Sequence, residues 1–77
     1  MRRFRDPEGR PWDAVVGRES WGSLYVVFVP AGIGRTDPVR QALLQSAGYD
    51  QAHHELAEMG EEALMELFRA SEARYTT

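Results

Sequence analysis

Cysteine, lysine and asparagine are absent from this 77-residue chain, and each absence closes a route. Without Cys there is no disulfide, and most structural zinc sites, which lean on thiolates, go with it. No apolar run approaches the roughly 20 residues that cross a bilayer, and the opening Met-Arg-Arg-Phe-Arg-Asp leads into no apolar leader region. A cytoplasmic location is therefore expected. The missing Lys and Asn, with Ile33 as the single Ile, share A- and T-rich codons, so a GC-rich genome accounts for them and they carry no functional message.

A chain of this length buries only about 60% of the surface its unfolded form exposes, so its core is marginal. Disulfides, a structural metal and oligomerisation are the usual supports, and only the last remains open to a chain without Cys. The hydrophobic fraction of 43% and charged fraction of 27% are those of a folded domain rather than a disordered one. Net charge is −3, unevenly spread: residues 1–40 carry seven Arg against five acids, and residues 41–77 carry two Arg against seven acids. A basic first half and an acidic second half can steer a charged partner or attract each other.

Leu24 to Val29 is apolar without interruption. Strand side chains alternate between two faces, so this segment asks for cover on both. Upstream, Phe4 between Arg3 and Arg5 reads as a short half-buried strand, and Asp6-Pro7-Glu8-Gly9 fits a type I turn position by position. The returning strand, from about Pro11 to Val16, sends Trp12, Ala14 and Val16 to one side, and Gly17-Arg18-Glu19-Ser20 makes the next turn. In a simple meander the third strand is an edge, which an apolar strand tolerates only if something pairs with it.

Residues 30–36 read as a loop. Asp37-Pro38 reads as a helix N-cap and first helical position, with a helix carrying Val39, Ala42, Leu43, Ser46 and Ala47 that stops at Gly48. Asp50 can cap a second helix with Ala52, Leu56 and Met59 on one stripe. Gly60-Glu61-Glu62 opens a third, with Ala63, Leu64, Leu67 and Phe68 inside and Glu62, Glu66 and Arg69 outside. Tyr75-Thr76-Thr77 is expected to fray. The expected architecture is α+β: one small domain over 1–77, with a three-stranded antiparallel β-meander (sheet about 3–29) followed by two or three short α-helices (about 38–73) packed on one face.

Chemistry-bearing patterns are sparse. His54 and Glu58 share a helix face beside His53 and Glu55, but the zinc-protease pattern needs a second His where Glu58 stands, so a solvated polar face accounts for them and no metal site is expected. Gly32-Ile33-Gly34-Arg35-Thr36 follows a strand and precedes the expected helix, the context of a phosphate cradle, yet it lacks the Lys of a P-loop and the third Gly of the dinucleotide fingerprint. No cofactor is expected. Ser20, Ser23, Ser46 and Ser71 have no His at a catalytic spacing, so no catalytic residue is assigned and the chain is expected not to be an enzyme. Trp12, Trp21, Tyr25 and Phe28 suit a core or an interface better than a ligand pocket.

The function expected on these grounds is a protein-interaction or regulatory module, self-associating or docking on a larger protein partner, with Trp21, Tyr25, Val27 and Val29 at the interface. The alternative is a nucleic-acid-binding regulator using Arg2, Arg3, Arg5, Arg10 and Arg18 with neighbouring aromatics, against which stands a pI of about 5.3.

Overall fold

The computed structural model describes residues 1–18 and 24–74, the Arg18 side chain excepted. Its elements run β1 (Arg2–Arg5), β2 (Pro11–Arg18), β3 (Leu24–Pro30), β4 (Arg40–Leu44), α1 (Tyr49–Glu58), α2 (Glu61–Ala70) and β5 (Glu72–Ala73). The fold is α+β, an antiparallel sheet of five strands in the order β1-β2-β3-β4-β5 with two helices.

The first hairpin forms as its residues dictate. Gly9 N–H donates to the Asp6 carbonyl at 2.9 Å, closing the turn, and Gly9 adopts φ +83°, a conformation open to Gly without steric cost. Asp6 also accepts from the Glu8 and Arg10 backbone N–H groups through Oδ1, both at 2.9 Å. Pro11 begins β2, as a residue without an N–H should. The turn expected to begin at Gly17 does not begin there, because Gly17 and Arg18 extend β2 by pairing with Tyr25 and Leu24, while Glu19, Ser20, Trp21 and Tyr75-Thr76-Thr77 lie outside the described residues.

The helix expected from Asp37 is not there. Residues 35–39 carry no regular element, and Arg40–Leu44 is a strand in register with β3, from Leu44 opposite Leu24 to Arg40 opposite Phe28. The reason is tertiary: Arg, Gln, Ala and Leu are all good helix formers, but β3 has a second row of ladder groups to satisfy and this segment satisfies it. Consequently β3 is the central strand rather than an edge, and the sheet has five strands rather than three. Gly48, expected to end a helix, instead precedes α1 in extended conformation at φ −178°. Asp50 lies in the first turn of α1 rather than capping it, while Gly60 and its following acids stand at the start of α2 as expected.

Both helices cover one side of the sheet. Trp12, Ala14 and Val16 from β2, Leu24, Val26 and Phe28 from β3, and Ala42 from β4 meet Ala52 and Leu56 of α1 and Leu64 of α2. Phe68 closes this core: its ring lies 4.9 Å from Trp12, 5.2 Å from Phe28 and 5.4 Å from Phe4, the Phe contacts edge-on. Trp12 and Phe28 are thus core residues. After α2 the chain returns to the sheet, where β5 pairs with β4 and Arg40 donates to the Ser71 hydroxyl at 2.8 Å and to its carbonyl at 2.5 Å.

Candidate interaction surfaces

The open face of the sheet follows from the register. Opposite the core rows lie Val15, Val27, Gln41 and Glu72 in one row, Gly17, Tyr25 and Leu43 in a second, and Arg3, Asp13 and Val29 in a third. Leu43 is 55% exposed and Val29 39%, whereas Val27, at the centre, is only 9% exposed. Part of Val27's cover is Gly17: a Cβ built there would stand 2.9 Å from Val27 Cγ2, so the missing side chain is the space that the valine methyl occupies. Of the four residues expected at an interface, Tyr25, Val27 and Val29 share this face, and Trp21 lies outside the described residues. Leu43 belongs with them and was hidden from sequence reasoning by its place in the expected helix. Among the described residues, the buried Gln41 Oε1, on the same face, has no hydrogen-bond donor.

Charge on this face is largely balanced. Arg3 donates through Nε to Asp13 Oδ1 at 2.8 Å and through its terminal nitrogen to Oδ2 at 3.1 Å, a two-pronged pair. That bond holds the Asp13 carboxyl below its usual value and raises the Arg3 guanidinium above its own.

The remaining arginines do not gather into one cationic surface. Arg2 turns to the helical side and donates to the carbonyls of Leu56 at 3.2 Å, Ala57 at 3.4 Å and Met59, at the C-terminal end of α1 where no other basic residue stands. Arg5 donates to the Gly9 carbonyl at 2.7 Å. Arg10 meets Asp6, Glu8 and Asp37 at 3.3, 2.9 and 3.1 Å. Arg18 is in β2, but its side chain is outside the described set. Of the five residues of the expected nucleic-acid face, the four described side chains, Arg2, Arg3, Arg5 and Arg10, are therefore split between the two sides of the sheet and its turn end, and Arg3 and Arg10 are paired with acids.

The buried Asp6 and the half-buried Arg35 knit the turn end together. Burial pushes the Asp6 carboxyl up, but the Trp12 Nε1–H bond at 3.0 Å, the two backbone donors and the Arg10 charge outweigh it, and the carboxyl sits below its ordinary value. Arg35 turns inward from the glycine loop, its guanidinium 5.0 Å from the Trp12 ring centre, donating to the carbonyls of Pro11 at 2.6 Å and Ala31 at 2.9 Å and to Asp37 at 2.7 Å. With Arg35 engaged inside and a strand rather than a helix following, the loop lacks the strand–loop–helix context of a phosphate cradle.

His53, His54 and Glu58 are exposed on α1, and the His53 ring stacks edge-on against Tyr49 at 4.5 Å. Among the described residues no three His, Asp or Glu side chains are grouped to hold a metal ion. Two cavities of about 370 Å³ each adjoin α2: one, beside β1, is lined by Arg3, Phe4, Arg5, Pro11, Glu61 and Met65, and the other by Glu61, Glu62, Met65, Glu66 and Arg69 of α2 itself. Comparison with protein-family models, with curated proteins and with solved structures finds no match to this chain.

Proposed function

We propose that this chain is a small, non-enzymatic protein-interaction module of the cytoplasm that self-associates through the open face of its sheet. One observation carries the reading: the two helices cover a single side of a five-stranded sheet, and the other side carries Val15, Tyr25, Val29 and Leu43 about a recessed Val27, with the paired Arg3 and Asp13 to one side. A face with an apolar centre and charges confined to its margins suits a like surface better than a phosphate backbone, whose binding is driven by unpaired cations. No helix among the described residues is long and apolar enough to cross a membrane.

The size of the face sets the strength. Five strands spaced by about 4.8 Å and a seven-residue central strand rising about 3.3 Å per residue give a footprint of roughly 450 Å² per copy. Stable assemblies bury about 800 Å² per partner, so association belongs to the weak, reversible class. Sedimentation equilibrium across micromolar concentrations is expected to show a concentration-dependent dimer that the double change Val29→Arg, Leu43→Arg abolishes. Both side chains are exposed, so the monomer keeps its fold, which circular dichroism checks. A folded wild type that stays monomeric, or a dimer indifferent to both substitutions, would overturn the proposal.

A further inference from the structure

β1 is one edge of the sheet, and no strand borders its outer side among the described residues. Which of its groups face outward follows from the hairpin. Asp6 N–H donates to the Arg10 carbonyl at 2.9 Å, which makes Asp6 and Arg10 a hydrogen-bonded pair. Alternation along an antiparallel ladder then makes Phe4–Trp12 and Arg2–Ala14 bonded pairs and turns the N–H and C=O of Arg3 and Arg5 away from β2. Pro11, opposite Arg5, agrees: it has no N–H to offer, and its carbonyl accepts from Ala31 N–H at 3.1 Å on the β3 side. The outer edge thus presents the backbone donors and acceptors of Arg3 and Arg5.

Beside that edge lies the first of the two cavities, bounded by the strand and by Glu61 and Met65 of α2. Its apolar surface comes from Phe4, Pro11 and Met65. A chain laid along β1 would alternate its side chains as β1 does, one set on the open face beside Arg3 and Arg5, the next into this cavity.

We propose that the outer edge of β1 accepts an extended peptide of alternating acidic and apolar residues as a sixth strand. Main-chain bonds to Arg3 and Arg5 hold the peptide, acids pair with the two exposed guanidiniums, and the apolar residues between them enter the cavity by Phe4 and Met65. Charge chooses this occupant. Arg3 is paired with Asp13 and Glu61 stands across the cavity on α2, but among the described residues no acid pairs with Arg5, whose hydrogen bond is to a carbonyl, so the open-face side of the edge carries one unpaired positive charge at Arg5. A second copy pairing β1 with β1 would bring Arg3 and Arg5 against their own kind, which strands at exposed edges use to avoid one another.

The probe is acetyl-Glu-Val-Glu-Val-Glu-amide, titrated at low ionic strength into the ¹⁵N-labelled full chain. Saturable shifts at the Arg3, Phe4 and Arg5 amides are expected, with slowed hydrogen exchange at Arg3 and Arg5. Binding should weaken about tenfold for the Lys-Val-Lys-Val-Lys counterpart and for the Arg5→Glu variant, since like charges are then juxtaposed. Peptides N-methylated at alternate residues, made in both frames, should lose binding in the frame whose N–H groups face β1. Unchanged exchange at Arg3 and Arg5, equal binding of both N-methylated frames, or no preference for the acidic peptide would overturn the proposal. Leu43→Arg should leave this binding intact, so the edge and the open face are tested separately.

Discussion

Asp6→Ala is the change expected to harm this fold most for its size. Asp6 is 6% exposed, and its carboxylate accepts from Trp12 Nε1, from two backbone N–H groups and from Arg10 Nε at 3.3 Å. After truncation, the turn's backbone donors can turn to water, but the indole N–H of Trp12, itself 2% exposed, cannot. An unsatisfied buried donor costs about 1–3 kcal/mol, and loss of the charge-assisted turn bonds adds about 1 more, for a total near 3 kcal/mol. At about 0.05–0.15 kcal/mol of stability per residue, a chain of 77 residues has roughly 4–12 kcal/mol in all, so this is a large share. Each kcal/mol shifts the melting temperature of so small a domain by about 4–8 °C. Urea unfolding followed by far-ultraviolet circular dichroism measures the loss without relying on tryptophan emission. Asp6→Asn keeps Oδ1 for the turn but sets an amide donor against the indole N–H, and should cost an intermediate amount. The pH dependence has a defined sign. Because the folded carboxyl lies below its ordinary value, its contribution is present above the unfolded pKa near 4 and is lost as pH falls through the folded value. The gap between wild type and Asp6→Asn should therefore narrow in acid. An Asp6→Ala protein within about 0.5 kcal/mol of wild type, the range of ordinary surface changes, would refute the reasoning.

Two further substitutions probe separate contacts. Gly17→Ala should destabilise by about 1–3 kcal/mol because its Cβ meets Val27 Cγ2, and a double-mutant cycle with Val27→Ala should recover about 1 kcal/mol; strict additivity would disprove the close approach. Arg2→Ala removes the guanidinium from the carbonyl end of α1 and should cost about 0.5–2 kcal/mol, with faster amide exchange in the helix's last turn; an unchanged urea midpoint would show that the contact contributes nothing.

What was legible in the sequence was what local chemistry decides. Asp6-Pro7-Glu8-Gly9 specifies its own turn, the alternation of Trp12, Ala14 and Val16 names its own buried side, and Gly60 followed by two acids marks the start of α2. The segment after Asp37 was misread because two local signals agreed on a helix: a good capping pair, and a run of helix formers with apolar residues at helical spacing. Only the need of β3 for a ladder partner on its far side opposes them, and that need is nonlocal. It was nonetheless visible, since an apolar strand left at an edge requires pairing, and the pairing came from within the chain rather than from another molecule. The same error hid Leu43 from the interface. The opposite fates of the arginines were beyond sequence reasoning for a related reason: Arg2 and Arg3 are adjacent, yet one caps a helix more than fifty residues away and the other pairs across the hairpin.

β4 is held in a conformation that its own residues do not favour. The intrinsic propensities of Arg, Gln, Ala and Leu lean towards helix, so the extended state of β4 depends on β3 on one flank and on the two residues of β5 on the other. The backbone bond from Arg74 N–H to the Val39 carbonyl at 2.6 Å and the Arg40 contacts with Ser71 complete that hold. The return of the chain after α2 thus latches in place a segment whose local preference and tertiary pairing pull in opposite directions.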